Sequence, residues 1–179
     1  AWQRPGVDAA IKEKFPDLVA SSYLKGTPTM VDGVLYASNA LGMVEAFDAV
    51  TGKTKWVQKP LPTNMKEAAG QALRGVEYWR GGSEERIISV RGEFIYELDA
   101  KTGEPVKSFG DSGKVFVGWP SSDHLTFRTT SAPIISNDVI IIGGTGGNPQ
   151  GGGSGDSGTN REAYPENIRG YDVRTGQQL

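Results

Sequence analysis

The sequence contains no cysteine and a single histidine, His124. Without cysteine, disulfides, thiolate metal sites and a haem-attachment motif are excluded within these residues, while the compartment stays open. No apolar run approaches the roughly 20 residues that a membrane helix needs. Charge of one sign is not in excess either: 19 Lys and Arg against 21 Asp and Glu leave a net charge of −2. That balance carries no electrostatic footprint for nucleic acid or an anionic membrane. Glycine is what the chain has in plenty, at 25 of 179 residues, about twice the usual share of roughly 7%. Such an excess suits a turn-rich, all-β chain.

One phrase is written three times: Asp48-Ala49-Val50-Thr51-Gly52, Asp99-Ala100-Lys101-Thr102-Gly103 and Asp172-Val173-Arg174-Thr175-Gly176. The spacings are 51 and 73 residues. Recurrence at tens of residues marks a repeat architecture, and the first spacing is close to one four-stranded propeller blade. The second reads as the same unit with an insertion. The chemistry of the phrase is that of a turn. Asp accepts hydrogen bonds from backbone N–H groups two residues on, and Gly supplies the positive φ that returns the chain as a bulged hairpin. Taken singly, each phrase is a hairpin turn with no function; the repetition carries the information about fold. Trp56, four residues after Gly52, reads as a blade-packing aromatic.

Strand signals precede each turn at Met43–Phe47, Glu93–Leu98 and Asn167–Tyr171. Two further hairpins are expected. One joins Thr27–Val31 to Val34–Ala37 across Asp32-Gly33, and the other joins Ala132–Ile135 to Val139–Ile142 across Ser136-Asn137-Asp138. The middle repeat contributes Gly75–Trp79 and Arg86–Val90. Asp8 to Leu18 suggests a short peripheral helix that Pro16 interrupts, and Ala1-Trp2 reads as strand. The Gly-rich stretch around 143–160 reads as a rim insertion, with too little apolar surface to pack by itself. It lacks the Gly-x-x-x-x-Gly-Lys pattern of a phosphate loop.

These features predict an all-β protein, a β-propeller of four-stranded antiparallel blades. The blade regions are expected at 1–56, 57–110 and 111–179. About three blades cannot close a ring that usually needs four to eight, so this reading expects a longer protein of which the chain is a part.

Certain runs go beyond a generic propeller. Gly26-Thr27-Pro28 through Asp32-Gly33-Val34-Leu35-Tyr36, Arg74-Gly75-Val76-Glu77-Tyr78-Trp79, Phe109-Gly110, Thr130-Ser131-Ala132-Pro133 and Ile168-Arg169-Gly170-Tyr171 stand in collinear order with the turns. Together they resemble the pyrroloquinoline quinone (PQQ) dependent alcohol and sugar dehydrogenases, from about Tyr23 onward. The resemblance implies an eight-bladed propeller, of which this chain is similar to about the first third. It also implies a central funnel holding PQQ and a calcium ion, an alcohol or sugar substrate, a quinone or cytochrome c as electron acceptor, and a periplasmic setting.

PQQ is a flat tricarboxylate quinone, so its site calls for cationic forks and neutral donors around the ring edge. By resemblance, Arg74 matches an arginine that holds a PQQ carboxylate, and Thr130 a threonine that hydrogen-bonds the cofactor. Without the resemblance they read as a solvated loop arginine and a strand-entry hydroxyl. Lys25 stands where the family often has an acidic residue and could pair with a PQQ carboxylate; an exposed lysine is the simpler reading. Asn148, closing Gly143–Asn148, aligns with a calcium-ligating carboxylate and offers a carboxamide oxygen to a hard cation. A turn asparagine is its bland alternative.

Three departures stand beside these matches. Ala68-Ala69 replaces the adjacent cysteines of the alcohol-oxidising type, Gly70 stands where the sugar-oxidising type has histidine, and Lys25 reverses a charge. Arg161–Gly170 is similar to a phrase of the sugar-type subgroup, which tilts the expected substrate toward a sugar or polyol. His124, beside Asp123 and without a Ser or Cys partner, reads as structural. The family's general base is an aspartate beyond Leu179, so no catalytic residue is expected here. The alternative is a quinoprotein-like propeller that binds no PQQ and serves as a protein-interaction scaffold.

Overall fold

The computed structural model describes residues 1–17, 26–59, 74–118, 126–129, 131–147 and 166–179. The expectations for Lys25, Ala68-Ala69, Gly70, His124, Thr130 and Asn148 lie outside the described residues.

One helix, α1 (Ala9–Lys14), precedes twelve strands among the described residues. Asp8 caps α1 by accepting from Ala10 N at 3.0 Å, and the helix stops at Phe15, one residue before Pro16. It is shorter than the expected 8–18, because proline forbids a helical residue before it.

The strands form three four-stranded sheets. The first runs β1 (Thr29–Val31), β2 (Val34–Ser38), β3 (Val44–Asp48), β4 (Thr54–Val57) as an antiparallel meander. The second repeats that order with β5 (Glu77–Gly81), β6 (Glu84–Arg91), β7 (Phe94–Asp99) and β8 (Lys114–Phe116). In the third, β10 (Ile134–Ser136), β11 (Val139–Gly147) and β12 (Glu166–Asp172) follow in order, and β9 (Thr126–Arg128) pairs with the far half of β11. Gly143–Gly147, expected in a loop, continues β11, since ladders to β9 and β12 flank it and supply the hydrogen bonds that hold glycine extended.

The two expected hairpins form, with Val31 paired to Val34 and Ser136 to Val139. Asp32, Asn137 and Asp138 all adopt positive φ in these two-residue loops, the backbone that matches strand twist. At the repeated phrase, Asp48 Oδ1 accepts from Val50 N, Thr51 N and Thr51 Oγ1, and Gly52 turns at φ 70°. The same set recurs around Asp99 and Asp172. Thr51 and Thr175 hold the Asp48 and Asp172 carboxyls below their ordinary value, which suits turn acceptors.

Two apolar layers join the sheets. Tyr36, Val44, Ala46 and Trp56 meet Val76, Ile87, Leu98 and Ala100 between the first and second. Trp79, Ile88, Val90, Ile95 and Phe109 meet Phe127, Ile140, Ile142, Tyr171 and Val173 between the second and third. Successive residues of a strand point to opposite faces, so Ile87 enters one layer and Ile88 the other, both fully buried. The second sheet is therefore covered on both faces. Ala1 and Trp2 are not in a strand. Instead Trp2 docks on the first turn, its Nε1 donating to Ala49 O at 3.1 Å. Ile11 packs on Leu41 and Met43 nearby.

Candidate functional site

The three sheets approach one another most closely at their inner strands. Thr27 forms a parallel bridge with Gly75, and Thr27 N donates to Arg74 O at 3.1 Å. Just below, Thr29 Oγ1 donates to Val76 O at 2.7 Å. A Cβ at Gly75 would stand 3.0 Å from Ala132 Cβ and 3.4 Å from Thr27 O. Close backbone approach is thus the reason for glycine in Arg74-Gly75-Val76. Residues that open the inner strand of each sheet, Thr27, Gly75 and Ala132, converge on one spot.

Arg74 stands at that spot. It is exposed, and its side chain makes no ion pair or hydrogen bond with another described residue. Six other arginines each have such a partner or a ring contact. Arg4 pairs with Glu45, Arg80 with Asp32, Arg86 with Glu97 and Arg174 with Asp138. Arg91 lies over Tyr96 and Arg169 over Phe127. An exposed guanidinium that no described side chain engages has its N–H donors open to a planar anion such as a carboxylate. Of the four residues singled out from sequence, Arg74 alone is described. Lys25 and Thr130 each fall two positions ahead of a converging residue, Thr27 and Ala132, in the chain.

At the opposite end of β1 a cleft of about 230 Å³ opens between the first and second sheets, lined by Val31, Tyr36, Lys55, Trp56, Glu85 and Lys101. Its charges are largely spent on each other, with Lys101 on Glu85 at 3.1 Å and Arg80 on Asp32 at 2.7 Å. Burial pushes the Tyr36 phenol up to about 12, so it stays a neutral hydroxyl. No group of three or more His, Cys, Asp or Glu able to hold a metal occurs among the described residues.

The most buried charges went unnoticed in the sequence. Glu97, on β7, is fully buried, and its Oε2 accepts from Arg86 Nη1 at 2.7 Å. The sequence signal is an arginine and a glutamate on one face of two strongly apolar strands, beside Ile88, Val90 and Ile95.

The family model for the PQQ glucose/ethanol/alcohol dehydrogenase β-propeller domain matches residues 1–179. The chain belongs to that family. Among curated relatives of this quinoprotein segment, the dehydrogenase subunit of the quinone-dependent alcohol dehydrogenase of Gluconacetobacter polyoxogenes is 34% identical over 134 residues. That alignment covers 73% of this chain and 17% of the relative. The quinoprotein glucose dehydrogenase of Escherichia coli K12 is 26% identical over 167 residues, covering 86% of the chain and 20% of the relative. The solved quinohemoprotein alcohol dehydrogenase from Comamonas testosteroni superposes with a TM-score of 0.62 at 24% identity. It covers 89% of this chain and 21% of that one, and supports the propeller fold. The quinoprotein segment thus spans about a fifth of the length of these relatives.

Proposed function

We propose that this segment builds one wall of the PQQ site in a dehydrogenase acting on an alcohol or a sugar hydroxyl, with a glucose-type substrate favoured. The observation that carries the reading is Arg74, exposed and without a side-chain partner among the described residues, where Thr27, Gly75 and Ala132 converge. Family membership supports PQQ as the cofactor.

The residues present fit such a group. The Arg74 guanidinium would hold a carboxylate of the cofactor through paired N–H donors. The Thr130 hydroxyl would donate to its edge, and the Lys25 ammonium would face a second carboxylate. Asn148 would offer its carboxamide oxygen to a hard cation such as calcium. When bound, the quinone supplies a two-electron acceptor for the carbinol carbon. Deprotonating the substrate hydroxyl falls to none of these side chains, and Asp48, Asp99 and Asp172 are committed to their turns. The glucose-type preference rests on the Arg161–Gly170 phrase. A periplasmic setting with a quinone or cytochrome c acceptor completes the reading.

The test uses the full-length protein loaded with PQQ and calcium. Dye reduction with glucose and with ethanol is expected, together with a PQQ affinity that falls roughly 10- to 100-fold in Arg74→Ala, as loss of a charge-assisted pair implies. A wild-type protein that retains no PQQ and reduces no dye would overturn the proposal in favour of a scaffold.

A further inference from the structure

The carbonyl that follows each turn aspartate is a docking point for the segment packed on that turn. Trp2 Nε1 donates to Ala49 O at 3.1 Å, and Trp56 Nε1 donates to Ala100 O at 2.9 Å. Each indole also lies against the turn glycine: a Cβ on Gly52 would meet Trp2 at 2.7 Å, and one on Gly103 would meet Trp56 at 2.5 Å. The corresponding carbonyl of the third turn, Val173 O, receives no indole from a described residue. It accepts instead from Arg86 Nη1 at 3.0 Å. The space against Gly176 is taken by Val115 and Phe109, which pack but have no N–H to give.

The register shows where the arginine comes from. Val34 pairs with Asp48, Arg86 with Asp99 and Val139 with Asp172, so these three occupy one position of the repeat. Two residues before each turn aspartate stand Ala46, Glu97 and Gly170. A small apolar pair in the first and third sheets is thus an arginine and a glutamate in the second, both buried and facing the third sheet. From these observations we infer that Arg86 is the docking group that seals the third sheet onto the second, replacing the indole, and that Glu97 is retained to hold it there.

This makes the second junction a charged seam at the place where the first is closed by an indole. A buried guanidinium needs a counter-charge, and breaking such a pair is far costlier than never having it. The charged groups around the seam are Arg86 and Glu84 on β6, Glu97 on β7, Asp138 in the β10–β11 loop, and Asp172 and Arg174 at the third turn. Glu84 holds the other arm of Arg86 at 2.8 Å, and Asp138 joins Trp79 Nε1 to Arg174. Glu97 Oε1 has no hydrogen-bond partner among the described residues. At the buried centre of the seam Arg86 is thus held by Glu97 Oε2 alone and by Glu84 from the rim, and the inner end of the seam is the Gly75–Ala132 contact.

Two amides report the junctions separately. Lys59 N donates to Gly103 O across the first, and Gly110 N to Thr175 O across the second. Hydrogen exchange on the full-length protein compares them. Arg86→Met, similar in length but without a donor, is expected to speed Gly110 exchange roughly tenfold, the scale of one lost charged hydrogen bond, and to leave Lys59 unchanged. Trp56→Phe should do the reverse. If the lone Glu97 prevents Arg86→Met from folding, the double variant Arg86→Val with Glu97→Ala copies the apolar pair of the first sheet. It should keep the melting temperature and still speed Gly110. Equal responses of the two amides, or no response at Gly110 in either variant, would overturn the inference.

Discussion

At the first junction Trp56 packs on Gly103 and donates to Ala100 O. At the second those two tasks fall to Val115 and Arg86, on different strands. The difference teaches what a docking indole does. It joins apolar area and one neutral donor in a single side chain, so nothing else in the layer has to be polar. A guanidinium supplies the donor but brings a charge that must be answered inside the core. Glu84 answers it at 2.8 Å and Glu97 accepts its hydrogen bond inside the layer, which acquires a titratable group where its counterparts in the other sheets are Ala46 and Gly170.

The largest expected effect lies on the indole side. Trp56→Ala should lower unfolding stability by about 3–5 kcal/mol in urea titration, whereas Val115→Ala at the matching place costs about 1 kcal/mol. Equal losses would erase the contrast. Gly103→Ala comes next. It meets both Trp56 and a φ of 74°, and we expect about 2–4 kcal/mol from strain plus overpacking. Gly33→Ala, at φ 76° with no atom within 4 Å, should cost about 1–2 kcal/mol from strain alone. The difference between the two is the indole's share.

On the charged side the signature is a dependence on pH. Burial pushes the Glu97 carboxyl from 4.5 up to about 8, against the pull of Arg86. The folded state therefore binds this proton more tightly than the unfolded one. Its contribution is full below about 4.5 and is lost as pH rises through about 8. Glu97→Gln should flatten the fall of stability between these limits, measured as urea midpoints across pH. An unchanged slope would remove Glu97 as its cause. Asp48 and Asp172 act with the opposite sign: being lowered, they stabilise above the ordinary 3.8 and lose this as pH falls. The smallest effect belongs to the rim pair Arg80–Asp32, whose side chains are 49% and 74% exposed. Asp32→Asn should change stability by about 0.5 kcal/mol or less, and a larger loss would mean the first junction also leans on charge.

Much of this fold could be read along the chain. The three Asp-x-x-Thr-Gly turns and the Asp32-Gly33 hairpin are local chemistry: a carboxylate reaching N–H groups two and three residues on, and a glycine or aspartate tolerating positive φ. Trp56 is legible as a packing aromatic too, standing four residues after Gly52. Trp2 reads as strand in sequence because an isolated apolar pair carries no period; its position comes from Gly52 and Ala49, some fifty residues on. Gly143–Gly147 read as a loop because glycine has no strand preference of its own, and two flanking ladders override that. At the candidate site the family phrase marked Arg74. That it lacks a side-chain partner among the described residues followed only from the fold.

The sequence by itself determined the repeat unit, its turns and the family, because each depends on residues within a few positions of one another or on their order. Tertiary structure decided which units touch. It brought Thr27, Gly75 and Ala132 together, and it set Arg86 on a carbonyl 87 residues away. An alternating strand shows that a side chain points inward, and says nothing of which neighbouring sheet it will meet.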